Sequence, residues 1–309
     1  MSIEFHRRML ADRVRHDAFR QALARVIRPG RTTVTDIGAG TGILAFFARE
    51  LGAKDVWLYE PGDVLELAEQ LAERNGVDRL HFVRAWSAEV EPESAVDVVV
   101  AEVLGNFAYE EGVLETLRDA WRFLKPGGTL IPHSLEQHVA PVTTDRFDRE
   151  LRSWRSVGHG LDLADAERMS LNNMYVFALE PADFLADAVR SWDALVFTDD
   201  IESLRRGTAS WTLSRDAQIF GFGLWWTCVL LPGVELTTSP YAPRTHWDQI
   251  YLPLTEPVEA RTGDALVLDI ETETGGEQSG IAVRWTATQR RGDVGIGAQT
   301  LDIGAGHLG

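Results

Sequence analysis

The sequence predicts an α/β protein: a doubly wound parallel sheet, then an antiparallel, barrel-like β domain carrying a helical insertion. Three observations lead there. Across residues 32–132, short apolar runs alternate with amphipathic stretches. A glycine-rich turn (Gly38, Gly40, Gly42) joins the first run to the helical pattern Ile43, Leu44, Phe46, Phe47, Leu51. Beyond Pro132, β-rich runs separated by turn residues take over.

The elements follow in order. Residues 3–27 read as one amphipathic helix with Phe5, Met9, Val14, Ala18 and Leu23 on one face, broken at Pro29-Gly30. Strands are expected near 32–37, 55–60, 80–85, 97–102 and 128–132, and helices near 42–51, 63–75 and 110–124. Lys125-Pro126-Gly127-Gly128 reads as the turn before the last of these strands. Residues 133–291 form the β domain, interrupted at about 146–186 by a polar stretch with helical pieces. Residues 292–309 read as a Gly-rich tail. The tail repeats DIGAG at 302–306, but no helical pattern follows, so the repeat is read as a decoy.

Composition excludes several functions. The net charge of −17 argues against a nucleic-acid partner and is compatible with a cationic substrate. Cys228 is the lone cysteine, so no intramolecular disulfide forms, and a reducing cytoplasm is expected. The first residues are too charged for a signal peptide. The apolar run 220–234 contains glycines and is too short to span a bilayer. The eight histidines lack metal-ligand spacing, so no metal is expected. Arginine outnumbers lysine, 28 of the 30 basic residues against Lys54 and Lys125, which points to a GC-rich bacterial genome.

Two segments carry chemistry. TVTDIGAGTG, residues 33–42, is a strand, a glycine turn and a helix start, with Asp36 at the strand end. DVWLYE, residues 55–60, ends in Glu60, placed to bind ribose hydroxyls. AEVLGNFAYEEG, residues 101–112, follows an apolar strand and sets Glu102 and Glu111 at the two ends of a glycine-containing loop. Two carboxylates in one pocket suit a planar guanidinium, whose donors form a fixed fork. The alternative, that Glu110 and Glu111 merely start the next helix, stays open at this level.

GxGxG after a strand resembles the S-adenosylmethionine (SAM) loop of class I methyltransferases. The paired-glutamate loop, Thr245-His246-Trp247 and FHRRMLADRVR at 5–15 together resemble the protein arginine methyltransferases. That resemblance implies that residues 1–30 form a lid over SAM. It implies that Arg15 pairs with the SAM carboxylate, with His6 nearby. Asp36, Gly38 and Gly40 would line the methionine end, and Glu60 the ribose. Glu102 and Glu111 would clamp the guanidinium beside Met9, Asp12 would pair with His246, and Trp247 would wall the arginine channel. The insertion matches in place the arm through which the family dimerises, so a homodimer is expected.

Plainer readings stand beside these: Trp247 as core, His246 as a satisfied loop histidine, Met9 as packing and Arg15 as a solvated helix residue. The family's N-terminal aromatic helix has no counterpart. Pro61-Gly62 replaces the usual residues after the ribose acid, and Ser87-Ala88-Glu89 stands where the family has an adenine-binding Glu, making Glu89 the candidate there.

The expected reaction is SAM-dependent methylation of a terminal guanidino nitrogen. The sequence leans to free L-arginine or another small guanidino compound, with Arg244 as partner for its carboxylate. Arginine in proteins or peptides is the alternative, and a non-catalytic SAM-binding scaffold the second. Bulky Met9 favours a single methyl.

Overall fold

The computed structural model describes residues 3–274 and 280–305. Its first layer is a five-stranded parallel sheet of β1 (Thr33–Ile37), β2 (Asp55–Tyr59), β3 (Leu80–Val83), β4 (Val96–Ala101) and β5 (Leu124–Ile131), in the order β3-β2-β1-β4-β5. Val34, Val56, Leu58, Val98, Val99 and Val100 are buried, as strands covered on both faces require. Helices α3 (Ile43–Glu50), α4 (Val64–Asn75) and α5 (Val113–Ala120) make the crossovers. Sequence placed these elements within a few residues. The Lys125–Gly128 segment is a difference: it lies within β5, as an irregularity with Gly127 at φ 77°, while Lys125 reaches Asp97 at 2.9 Å.

The N-terminus holds two helices instead of one, α1 (Ile3–Leu10) and α2 (Arg13–Val26). Asp12 breaks them: its backbone is extended and its carboxylate caps α2 by accepting from Arg15 N at 3.0 Å. The apolar periodicity runs across the break, which hides it from a sequence reading. Arg25 anchors α2 to the β domain through Pro232 O at 2.7 Å.

The β domain contains two antiparallel sheets. One has the order β7 (Tyr175–Phe177), β12 (Gln249–Ala260), β10 (Ala217–Leu231), β6 (Ser134–Val142), β8 (Arg190–Val196), with β11 (Val234–Thr237) also on β10. The other runs β15 (Val294–Asp302), β14 (Ala282–Arg291), β13 (Ala265–Glu273), β9 (Leu204–Thr212). Trp285 in β14 donates to Pro253 O in β12 at 3.0 Å, joining the sheets.

Residues 146–186 comprise α6 (Arg146–Leu151), α7 (Ala164–Leu171), short 3₁₀ turns and β7. Phe147, Leu151 and Leu171 are buried, and Glu167 ties Arg152 to Arg155, so these pieces pack onto the domain. The expected tail is corrected. Val294–Asp302 is a strand paired to β14 across its length. Its glycines and exposed Val294 and Ile296 give no inward apolar face until Leu301, so backbone pairing holds it. Of the DIGAG repeat, Ile303–Ala305 form a 3₁₀ turn, and Gly306 lies outside the described residues.

Candidate active site

A cavity of about 990 Å³ opens at the carboxyl ends of β1, β2 and β4. Helix α1, the THW loop and the ends of β13 and β14 close round it. His6, Met9, Arg15, Asp36, Gly38, Gly40, Glu60, Glu102, Glu111 and His246 all line it.

At one end the backbone turns left-handed at Gly38 (φ 69°), Gly40 (φ 54°) and Gly42 (φ 80°). A Cβ on Gly38 would lie 2.9 Å from Val103 Cγ1, and one on Gly40 3.4 Å from His6 Cε1. Glu60 spans two loops, accepting from Gly40 N at 3.0 Å and Gly62 N at 2.8 Å. Asp36 is fully buried. One oxygen accepts from Ala45 N at 3.1 Å and the other has no partner. Burial pushes its carboxyl up to about 7.

His6 Nδ1, Arg15 Nη1 and Thr41 Oγ1 are also buried without partners. Burial holds the His6 imidazole below its ordinary value, against the pull of Glu60. Unpaired polar groups at this depth are costly unless a ligand satisfies them. A ligand joining an amino acid to a ribose would do so, with its carboxylate at Arg15, its ammonium at Asp36 and its hydroxyls beside Glu60. The donor set therefore fits SAM. Thr41 was not singled out from sequence, and its place inside the glycine turn was the available signal.

At the other end, Arg15 donates through Nε to Glu102 Oε2 at 2.7 Å, with Nη2 on the same oxygen. Both side chains are almost fully buried, and Glu102 Oε1 accepts from Leu104 N at 3.2 Å. Arg15 is therefore engaged with Glu102, leaving Nη1 for a cofactor carboxylate. Glu111 sits at φ 59°, a left-handed conformation unusual for a side-chain-bearing residue, before Gly112 at φ 66°.

Glu111 is open to the cavity yet hemmed in by its walls, and has no hydrogen bond or ion pair among the described residues. Burial, then the charges of Glu102 and Glu110, push it up to about 7. Glu110 has a different job. It accepts from Phe107 N at 2.9 Å and packs on Gly105, leaving no room there for a side chain. Helix α5 begins only at Val113, so Glu111 belongs to the loop and not to the helix.

The β domain sets the shape of this loop. Its carbonyls at Leu104, Gly105 and Phe107 accept from Trp247 Nε1 (2.8 Å), Trp226 Nε1 (3.1 Å) and Gln137 Nε2 (2.5 Å). Tyr109 reaches Asp193 at 2.5 Å, and Asp193 pairs with Arg205. Sequence reasoning missed these supports because they are tens of residues or more away in the chain.

Asp12 and His246 meet. Asp12 Oδ2 accepts from His246 N at 2.7 Å and lies 2.9 Å from Nδ1. Burial works to raise the Asp12 carboxyl, but hydrogen bonds from the His246 ring and the Arg15 and His246 amides hold it below the usual range.

Three expectations are corrected. Trp247 is buried against Trp226 and His246 and lines a smaller cavity of about 110 Å³, because its indole is committed to Leu104 O. Glu89 is exposed on a 3₁₀ turn and does not line the large cavity, whereas Ser87 does. Arg244 is exposed, pairs with Asp248 at 3.2 Å and borders the smaller cavity.

Residues 133–284 match the family model of the arginine methyltransferase oligomerization subdomain, and residues 20–142 match that of ribosomal protein L11 methyltransferase (PrmA). Protein arginine N-methyltransferase 6 of Xenopus laevis is 33% identical over 288 residues, covering 87% of this chain and 83% of the relative. The chain belongs to the protein arginine methyltransferase family. The histone-arginine methyltransferase CARMER of Drosophila persimilis is 28% identical, matched over 88% of this chain and 54% of its own.

Among solved structures, the Trypanosoma brucei PRMT1 enzyme–prozyme heterotetrameric complex with AdoHcy superposes with a TM-score of 0.85 at 21% identity, covering 96% of this chain and 97% of that one. Protein arginine methyltransferase 10 of Arabidopsis thaliana, in an open conformation, gives 0.81 at 22% identity over 98% of both. These two likenesses are of fold.

Proposed function

We propose that this chain transfers a methyl group from SAM to a terminal guanidino nitrogen of arginine in a protein or peptide. One observation carries the reading: Glu102 and Glu111 face the cavity in which Asp36, Arg15, His6 and Thr41 leave polar atoms unpaired. Free L-arginine, the substrate first favoured, is not supported. The relatives are named as protein-arginine and histone-arginine methyltransferases, and Arg244, the expected partner for an amino-acid carboxylate, lies at a different cavity.

Arg15, Asp36, Glu60 and the Gly38–Gly40 backbone would hold the cofactor, and His6 would flank it. When bound, SAM supplies an electrophilic methyl on a sulfonium. Glu102 is fixed by Arg15 and Leu104 N, and Glu111 by its strained backbone. Between them a guanidinium is gripped as a fork, which localises charge on the gripped nitrogens and orients one terminal nitrogen. Such positioning is worth up to roughly 7–11 kcal/mol in favourable cases.

A guanidinium of pKa ~13.8 does not lose its proton by itself, so a proton must be accepted as the new bond forms. Glu111, poised near 7, suits that task. His246, with Nδ1 directed at Asp12, leaves Nε2 as a second acceptor.

We further propose a homodimer formed through residues 146–186. The oligomerization-subdomain match and the exposed Trp154, Val157 and Leu161 support it.

Incubation with labelled SAM and, separately, an Arg/Gly peptide and free arginine tests the function. Label on the peptide is expected. Label on free arginine alone would restore the small-substrate reading, and label on neither would favour a non-catalytic scaffold.

A further inference from the structure

The cavity follows the sheet outward in strand order. Asp36 stands at β1, Glu60 just after β2, and the next strand out, β3, leads to Ala85, Trp86 and Ser87, which line the same cavity. Trp86 is 62% exposed, and its indole has no ring contact or hydrogen bond among the described residues. A bare indole on the rim of a cavity is apolar surface awaiting cover. Ser87 is buried, and its hydroxyl has no partner among the described residues. The nearest carboxylate in the chain, Glu89, is exposed and away from the lining.

We propose that Trp86 stacks on the adenine of the bound cofactor, so that base recognition here rests on an aromatic face in place of a carboxylate. This rests on reading the cavity as the SAM site. With the amino-acid end between Arg15 and Asp36 and the ribose at Glu60, the base extends to the third strand, where Trp86 stands. A purine laid on the indole covers both faces from water, and Ser87 offers a hydroxyl to the edge of the base.

S-adenosylhomocysteine (SAH) binding tests this by calorimetry and by tryptophan fluorescence, with no turnover involved. Because Trp86 is exposed, its substitution leaves the core intact, which unchanged thermal unfolding would verify. Trp86→Ala should weaken SAH binding about tenfold, whereas Trp86→Phe, which keeps a stacking face, should stay within about threefold. SAH should quench the fluorescence of the wild-type protein, and that quench should be lost in Trp86→Phe although SAH still binds. Wild-type binding with Trp86→Ala within about twofold of it, or an undiminished quench in Trp86→Phe, would overturn the stacking role alone. No SAH binding by the wild-type protein would overturn the cofactor site itself.

Discussion

At the scale of residues, the site is a set of groups prevented from satisfying one another. Glu111 and Asp36 are both pushed up to about 7, chiefly by burial, so below that pH each keeps its proton in the ligand-free fold. A carboxyl raised in this way adds stability that is full below its unfolded value near 4.5 for Glu111 and 3.8 for Asp36, and that is lost as pH rises through about 7. Ligand-free protein should therefore melt at lower temperature at pH 8 than at pH 5.5, with SAH narrowing the gap by pairing Asp36.

Activity should run the other way. Glu111 must be ionised to hold a guanidinium, so kcat/KM should climb about tenfold per pH unit below about 7 and level off above it. A pH–rate profile for Glu111→Gln lacking that limb is expected; an unchanged limb would assign the titration elsewhere.

At the scale of elements, two joints matter. Asp12 ends α1, caps α2 and holds His246, so Asp12→Ala removes all three connections. Loss of the cap alone costs about 1 kcal/mol, and hydrogen exchange in the first turn of α2 should quicken about fivefold. Unchanged exchange there would remove Asp12 as the cap of α2. The glycine turn is the second joint. Gly40→Val forces a β-branched residue to φ 54° against His6 and should weaken SAH binding on the order of 100-fold in a folded protein. The same change at Gly304 should leave SAH affinity unaltered; calorimetry separates the cases.

The glycine turn and its flanking strands were readable in sequence because apolar runs, turn and helix sit within a few residues of one another. The Asp12 break was not, since Met9 and Val14 continue one apolar stripe across it. Trp247 was misplaced for a related reason. A tryptophan in a loop motif carries no mark of whether its indole faces a channel or a carbonyl, and here Leu104 O, 143 residues away, decides.

At the scale of the whole molecule, the β domain is part of the active site. Trp226, Trp247 and Gln137 hold the backbone that places Glu102 and Glu111. The parallel sheet and the antiparallel β domain after it were legible from periodicity, but the strand order was not. The strand Val294–Asp302 was not, because alternate glycines erase the pattern that marks a strand.

Dimer formation belongs to this scale too. Cutting out the insertion would remove buried Leu171 and the Glu167 ion pairs, so point changes are the cleaner test. Replacing Trp154, Val157 and Leu161 by charged residues should convert a light-scattering dimer to monomer. An unchanged dimer would locate the interface elsewhere, and a wild-type monomer at micromolar concentration would remove the dimer.

The most direct measurement of the central claim is the rate and position of methylation on an Arg/Gly peptide, by mass spectrometry, for the wild-type protein, Glu102→Gln and Glu111→Gln. The wild type should place a methyl, mainly one, on a terminal guanidino nitrogen. Each variant should be at least about 100-fold slower, the loss typical of removing one well-placed electrostatic partner, while SAH binding stays within a few-fold. A near-wild-type rate in either variant, or a methyl on the internal nitrogen of the guanidine, would contradict the carboxylate clamp.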